Sequence, residues 1–198
     1  MLSYFIVLLV YLLSDYLVLL FSSSLTLALF VKLILVSGLL VFFRKDFKFR
    51  IKFDFLAVVI GIVIFLIWVV IDKFYPHLDI VTSSIQYSTL DIILKLIISV
   101  IIASIVEEFF TRFFLIRWLI DHHWEKVELG KYTLFSFIIT VLFFGLSHSR
   151  WLAGLIVGIL LNLLYYKRKN IESCVLAHAV ANLALGVYVV YTGNWQFW

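Results

Sequence analysis

The chain contains 198 residues, of which 65% are hydrophobic and 14% are charged, with a mean hydropathy of +1.15. A soluble domain is roughly half apolar and about a quarter charged, so this composition excludes an ordinary water-soluble domain and requires that much of the surface faces lipid. The net charge of +4 comes from basic residues beside apolar runs. This placement indicates that they orient the chain in the membrane and contact lipid headgroups, and it does not favour nucleic-acid binding.

Three further features limit the architecture. One proline and eight glycines leave little chain for long loops or a second domain, so we expect a single membrane-embedded domain over residues 1–198. The only cysteine, Cys174, excludes a disulfide framework and a cysteine metal site. The starting sequence MLSYFIVLLVYLL lacks the basic start and small-residue cleavage site of a signal peptide, and we expect it to be the first membrane span.

Seven apolar runs predict the membrane helices. The fourth run is longer than a bilayer crossing requires, so we expect it to be tilted or to begin in the membrane interface. The pattern predicts an all-α fold, namely a polytopic transmembrane helical bundle of about seven spans. In chain order, the runs cover residues 2–21, 25–43, 55–71, 90–120, 133–146, 151–166 and 171–191.

The basic residues predict the orientation of the chain. Two groups follow the second and sixth spans and one flanks the loop after the fourth span, so seven crossings would put all three on one side of the membrane. Basic loops are usually cytoplasmic, and we therefore expect a cytoplasmic N-terminus and a C-terminus outside. The opposite side has only Lys73 and Arg150. The three groups are Arg44, Lys45, Lys48, Arg50 and Lys52; Arg117, Lys126 and Lys131; and Lys167, Arg168 and Lys169.

Charged residues at membrane depth are costly, so each needs a partner or a function. Asp15 and Lys32 lie at similar distances from the turn between the first two spans, which predicts that they neutralise each other. Asp91 and Lys95 are four residues apart on one helix face, which predicts a second pair.

The sixth span carries signs of close helix packing. Gly154 and Gly158 form a GxxxG step, which lets two helices approach closely. Asn162, on the same helix, is predicted to hydrogen-bond to a neighbouring helix. We interpret all three residues as structural.

The run IVEEFFTRFF places two carboxylates and a guanidinium inside the fourth span. Glu108 and Arg112 are four residues apart, so they are predicted to pair along one helix face. Glu107 is rotated from Glu108 by about 100° on an α-helix, and Arg112 is poorly placed to satisfy both carboxylates. Glu107 is therefore predicted to face elsewhere, where other helices must supply its hydrogen-bond donors.

Two further motifs can supply those donors. FFGLSH ends the fifth span with His148, and HAVAN places His178 and Asn182 on one face of the seventh span. At about 1.5 Å per residue, Glu107, His148 and His178 lie roughly 20, 22 and 11 Å from the cytoplasmic ends of their helices, within a hydrocarbon layer of about 30 Å. One buried cluster of Glu107, His148, His178 and Asn182 is therefore predicted.

Such a cluster has the groups needed to attack a peptide carbonyl with water. A carboxylate can accept a proton from water, a neighbouring histidine can position that water, and a second histidine with an asparagine amide can donate hydrogen bonds to an oxyanion. The residues alone equally allow a purely structural polar network between the fourth, fifth and seventh spans. A proton-coupled transporter is a further alternative, although the sequence shows neither the inverted repeats nor the broken helices expected of one.

The three motifs, taken together, resemble a known family. EEFFTR, FGLSH and HAVAN match the patterns EExxxR, FxxxH and HxxxN, in this order and each in its own apolar span. This ordered set resembles the CPBP family of CAAX-processing and bacteriocin-processing glutamic intramembrane proteases, also called the Abi family. The resemblance covers roughly residues 90–190. It implies a protease core over residues 90–191, preceded by N-terminal spans without a recognised motif over residues 1–89.

The resemblance implies a role for each site residue. Glu107 would be the general base that activates water, and His148 would help to hold that water. His178 and Asn182 would stabilise the oxyanion. The resemblance implies catalysis without a cofactor, although a glutamate with two histidines can bind zinc, and a zinc-dependent protease stays as the alternative. The supporting residues would be Glu108 and Arg112.

The resemblance also implies a substrate class and a location. We expect a multi-pass protein of a prokaryotic cell membrane that cleaves a membrane-anchored protein or peptide, near a C-terminal or membrane-proximal segment, and that does not bind nucleic acid. The final sequence GVYVVYTGNWQFW resembles a bacterial subgroup associated with exosortase-type protein sorting. Its tryptophans equally suit an aromatic anchor at the membrane interface. A non-catalytic immunity or scaffold protein with the same fold is the remaining alternative.

Overall fold

The structure, a computed structural model, describes residues 1–50, 52–76 and 87–198. Within these residues the chain forms an all-α membrane bundle, which confirms the predicted fold class. In the described part of the chain, six helices are long and apolar enough to cross a membrane, and one apolar helix is shorter. The helices are α1 (Leu2–Leu19), α2 (Leu25–Phe42), α3 (Phe55–Ile71), α4 (Thr89–Ile120), α5 (Leu134–Leu146), α6 (Trp151–Arg168) and α7 (Glu172–Thr192).

Four helices begin at polar capping residues. Ser24, Asp54, Ser88 and Thr133 precede α2, α3, α4 and α5, and each side-chain oxygen accepts a hydrogen bond from a backbone N–H of the first turn. These bonds satisfy donors that a helix start leaves without a partner. The helix boundaries therefore follow from local polar residues as well as from apolar length.

Two structural predictions from the sequence are confirmed. Lys32 Nζ lies 2.6 Å from Asp15 Oδ2, so this ion pair joins α2 to α1. Gly154 packs against Gly145 so closely that a β-carbon on Gly154 would lie 3.0 Å from the Gly145 Cα. A β-carbon on Gly158 would lie 3.3 Å from the Cα of Val141. The GxxxG step therefore sets the close approach of α6 to α5.

The predicted pair between Asp91 and Lys95 is wrong. Asp91 accepts hydrogen bonds from Thr26 Oγ1 at 2.6 Å and from the Ser88 hydroxyl at 2.7 Å. Lys95 Nζ instead donates to the hydroxyl of Tyr87 at 3.3 Å. The helix cap and a hydroxyl from α2 compete successfully for the carboxylate, and sequence spacing along one helix does not reveal either partner.

Helix α4 is interrupted by two wider turns. Segments of π-helix at Ile98–Ala103 and Phe109–Leu115 flank a regular turn at Ser104–Glu108. In the first wide segment, the Ser99 carbonyl accepts a hydrogen bond from Asn182 Nδ2 of α7 at 2.7 Å. Such interruptions are frequent at functional sites, and here they place both glutamates between two points where the helix widens.

Helix α5 is too short to cross the hydrocarbon layer as a straight helix. Its 13 residues extend about 20 Å, against a layer of roughly 30 Å. The chain after Leu146 therefore leaves the helix at membrane depth, which proteins tolerate where the backbone is buried or lines a cavity. His148 lies in this non-helical segment and lines a cavity.

Polar contacts join helix ends on both sides of the bundle. On one side, Asp54 accepts from Arg168 at 2.6 Å and from the Ser173 hydroxyl at 2.7 Å. Burial raises the pKa of Asp54, but the hydrogen bonds from Ser173 and Arg168 outweigh it and hold that pKa below its ordinary value. On the other side, Arg150 pairs with Asp72 at 2.5 Å. These contacts tie α3 to both ends of α6 and to the start of α7.

The main hydrophobic core crosses the boundary between the N-terminal spans and the later helices. It includes Val7, Val36 and Ala57 from the first three helices, and Phe109 and Leu161 from α4 and α6. All five side chains are buried. The first three helices therefore pack directly against the helices that carry the motifs.

Candidate active site

One cavity brings together the four residues predicted to act on a substrate. It has a volume of about 260 Å³, and Glu107, His148, His178 and Asn182 all line it. Its walls come from α1, α3, α4, α5, α6 and α7, and from aromatic residues that follow α7. The helices that carry the motifs therefore do not enclose the cavity alone, because α1 and α3 also contribute to its walls.

Glu107 and His148 face each other across a gap that suits one water molecule. His148 Nε2 lies 3.8 Å from Glu107 Oε2, a separation that a bridging water can span. The His148 and Glu107 side chains are 25% and 17% exposed, so solvent in the cavity reaches both. His148 Nδ1 lies 2.7 Å from the carbonyl oxygen of Phe144. Because a carbonyl only accepts, Nδ1 carries the proton and Nε2 of the neutral ring is an acceptor.

Glu108 has the opposite environment. The side chains of Glu108 and Arg112 are both 0% exposed, and Arg112 Nη1 lies 2.9 Å from Glu108 Oε1, which confirms the predicted pair. His178 Nδ1 contacts the same carboxylate oxygen at 2.8 Å. Arg112 Nε donates to Asn162 Oδ1 at 3.1 Å, and Asn162 Nδ2 donates to Thr140 Oγ1 at 2.9 Å. This buried network connects α4, α5, α6 and α7.

Two members of the expected cluster, His178 and Asn182, also have a partner outside the cavity. His178 bonds to Glu108 through Nδ1, so Nε2 is the ring atom that can act on a group in the cavity. Asn182 uses one amide hydrogen for the Ser99 carbonyl, and an amide has two such hydrogens. Asn182 can thus donate its second hydrogen to an oxyanion, and His178 can donate from Nε2 when its ring is protonated, while a second contact holds each side chain in place.

Two residues from the N-terminal helices also belong to the site, and the sequence did not indicate them. Tyr11 of α1 lines the cavity, and its phenol interacts with the Glu107 carboxylate. Trp68 of α3 packs edge-on against His148, with ring centroids 5.5 Å apart. A single aromatic residue within an apolar span looks the same whether it packs in the core or lines a site, so no sequence signal could have found either one.

The described residues do not form an evident metal site. Over residues 1–50, 52–76 and 87–198, no group of three or more His, Cys, Asp or Glu side chains is arranged to hold a metal ion. A catalytic zinc site takes three protein ligands, and Glu107, His148 and His178, whose Nδ1 is bonded to Glu108, are not arranged as such a group. Chelation is the direct test of the zinc alternative.

The motif-bearing part of the chain matches a known protein family. The protein-family model described as type II CAAX prenyl endopeptidase Rce1-like matches residues 89–184. This segment contains every residue from Glu107 to Asn182, and therefore all three motifs. No curated protein and no solved structure matches the chain. Residues 89–184 of this multi-pass membrane protein therefore match the Rce1-like family of type II CAAX prenyl endopeptidases, a protease family within the CPBP group.

Proposed function

We propose that the protein is an intramembrane endopeptidase that hydrolyses a peptide bond with a water activated by Glu107. The observation that carries this proposal is the 3.8 Å gap between Glu107 Oε2 and His148 Nε2 inside the cavity. Two acceptors at this separation can each take a hydrogen bond from one water. The water oxygen then has a lone pair directed away from both and available for attack.

In the first chemical step, the water oxygen attacks the carbonyl carbon of the substrate while Glu107 accepts a proton from the water. The carbonyl electrons move onto the oxygen, which becomes an oxyanion. The second amide hydrogen of Asn182, and His178 when its ring is protonated, donate to that oxyanion. Glu107 then returns the proton to the leaving nitrogen as the C–N bond breaks, which yields a carboxylic acid and an amine.

The buried network supports this chemistry by holding His178 still. Glu108 bonds to both Arg112 and His178, so the ring cannot turn without losing a bond to a buried carboxylate. Fixed donors stabilise a developing negative charge better than mobile ones, because they need no reorganisation during the reaction. Glu108 and Arg112 are therefore positioning residues in the proposed mechanism.

The proposed substrate is a membrane-anchored protein or peptide, cut near a C-terminal or membrane-proximal segment. The family description names an endopeptidase, and the cavity walls contain the aromatic rings of Phe65, Trp68 and Phe144. Apolar walls at membrane depth suit an extended segment of apolar sequence.

The proposal is tested by incubating the purified protein in lipid vesicles with candidate membrane-anchored substrates and reading the products by mass spectrometry. Glu107→Gln keeps the side-chain shape and removes the base, so kcat/KM should fall by at least about 100-fold. The matched control is Glu128→Gln, the same change at an exposed carboxylate outside the helices, which should leave the rate unchanged.

Three outcomes would contradict the proposal. Full activity in Glu107→Gln rejects this residue as the base. Loss of activity in EDTA with recovery in added zinc favours the zinc-dependent alternative. A wild-type protein that binds membrane peptides but cuts none, and whose cellular role survives Glu107→Gln, favours the non-catalytic scaffold.

A further inference from the structure

We infer that Lys95 is an anion-binding residue of the cavity, which recognises a carboxylate or phosphate group on the molecule that enters it. Lys95 lines the same cavity as Glu107 and lies outside the three motifs. Identification of that molecule as a peptide substrate rests on the proposed function, whereas the anion site itself does not.

The first observation is that no carboxylate neutralises Lys95 at close range. Its Nζ donates to the neutral hydroxyl of Tyr87 at 3.3 Å. Asp91, one helical turn earlier, is occupied by Ser88 and Thr26. Across the described part of the chain, no ion pair within 4.0 Å involves Lys95.

The second observation concerns the nearest opposite charge. Asp15 attracts Lys95 electrostatically, but Asp15 is bonded to Lys32 at 2.6 Å. The positive charge of Lys32 repels Lys95 and counteracts this attraction. The pair as a whole is neutral, so it offers Lys95 little net attraction. A cation at membrane depth is costly without a counter-charge, and a ligand in the cavity can supply one.

The third observation is how the ammonium group is held. Lys95 Nζ lies 5.1 Å from the ring centroid of Tyr87 and 5.9 Å from that of Trp198. Aromatic faces attract a cation without carrying a net negative charge. The two rings therefore hold the ammonium group beside the cavity and leave its charge available to a ligand.

The position of Lys95 relative to Glu107 sets the spacing that it would recognise. The two residues are twelve positions apart on α4, which corresponds to about 18 Å along a regular helix. An extended peptide advances about 3.3–3.6 Å per residue. An anionic group bound at Lys95 would thus lie no more than about five residues from the scissile bond.

The binding experiment uses matched synthetic apolar peptides that differ only by Glu or Gln, added to the inactive Glu107→Gln protein in vesicles of neutral lipid. Charge-assisted contacts in buried sites predict that the Glu peptide binds about 10-fold tighter or better. Adding Lys95→Gln should abolish this preference, and Lys95→Glu should prefer a peptide with Lys in place of Glu. The matched control is Lys73→Gln, at an exposed lysine on the same side of the bundle. This variant should keep the preference for the Glu peptide.

The source of the anion is identified by repeating the measurement in vesicles that contain phosphatidylglycerol. Competition by this lipid with the Glu peptide, seen with Lys95 and absent in Lys95→Gln, would support the same site with a headgroup phosphate as an occupant. The inference would be overturned if the protein with Lys95 and the Lys95→Gln protein preferred the Glu peptide equally and the lipid affected binding in neither. A Lys95→Gln protein that melts earlier yet keeps the preference would also overturn it, because Lys95 would then be structural.

A cleavage assay separates this inference from the proposed function. Suppose that wild-type protein cuts a substrate and that Lys95→Gln cuts the Glu and Gln forms with the same ratio of rates as wild type. The anion-site inference is then wrong and the protease proposal stands. If wild-type protein cuts nothing but the binding preference depends on Lys95, the protease proposal fails and the anion site stands.

Discussion

Two adjacent glutamates have opposite environments, and this contrast organises the site. Glu107 is 17% exposed and faces His148 across the cavity, whereas Glu108 is 0% exposed and bonded to Arg112 and His178. One residue step on a helix rotates a side chain by about 100°, which is enough to direct one carboxylate to solvent and the other into the bundle. One can react with water while the other holds the site together.

Arg112→Ala tests the buried half of this arrangement. The change leaves Glu108 without its guanidinium and removes the bond to Asn162, so stability should fall by about 3–5 kcal/mol, as for other broken buried pairs. Thermal unfolding of the protein in detergent measures this loss. Arg168→Ala is the control, because Arg168 is 37% exposed in its pair with Asp54 and such pairs contribute about 1 kcal/mol or less. Equal losses in the two variants would contradict a special role for the buried pair.

At the scale of helices, the site depends on how closely α3 and α7 approach. A β-carbon built on Gly61 of α3 would lie 2.5 Å from the carbonyl oxygen of Ala177 and 2.8 Å from the β-carbon of Val180. These two residues flank His178 in α7. The absence of a side chain at Gly61 therefore lets α3 and α7 pack together beside the site.

Gly61→Ala should separate these helices and destabilise the protein by about 1–3 kcal/mol, as overpacking does. Because the displaced backbone carries His178, the cleavage rate should fall as well. Gly38→Ala in α2 is the matched control, since a β-carbon there meets nothing within 4 Å, and it should be neutral or stabilising by up to about 1 kcal/mol. Unfolding temperatures of both variants are the measurement, and a stable, fully active Gly61→Ala would contradict the packing argument.

At the scale of the whole molecule, the cavity extends toward the side opposite the basic loops. Lys95, Trp68 and Trp198 line it, and they lie near the ends of α4, α3 and the chain on the side where Arg150 pairs with Asp72. The predicted orientation places that side outside the cytoplasm. A substrate that approaches along the cavity would then come from the non-cytoplasmic side.

Cysteine labelling in intact bacterial cells tests this orientation. Lys73→Cys follows α3 and Lys126→Cys follows α4, and both positions are exposed. A maleimide that cannot cross the membrane should label the first variant directly and the second only after the cells are permeabilised. Cys174 is buried and should contribute little background, which the parent protein measures. The reverse pattern would invert the assigned sides.

The positions of the helices and the nearest-neighbour pairs along them were open to prediction from the sequence. The apolar run at residues 55–71 matches α3 at both ends, and the Glu108–Arg112 pair follows from the helical period alone. The same rule failed for Asp91 and Lys95, because Thr26 of another helix took the carboxylate. A local rule holds only where no other helix offers a better partner.

The number and order of the membrane helices, the ordered motifs and the family that they resemble could be predicted without coordinates, because apolar length and helical period are properties of the chain. Coordinates were needed to show that His178 bonds to Glu108, that Tyr11 and Trp68 line the cavity, and that Lys95 has no carboxylate partner among the described residues. These contacts depend on how each helix is rotated and tilted against its neighbours. Packing of the whole bundle sets those angles, and no single segment of sequence contains them.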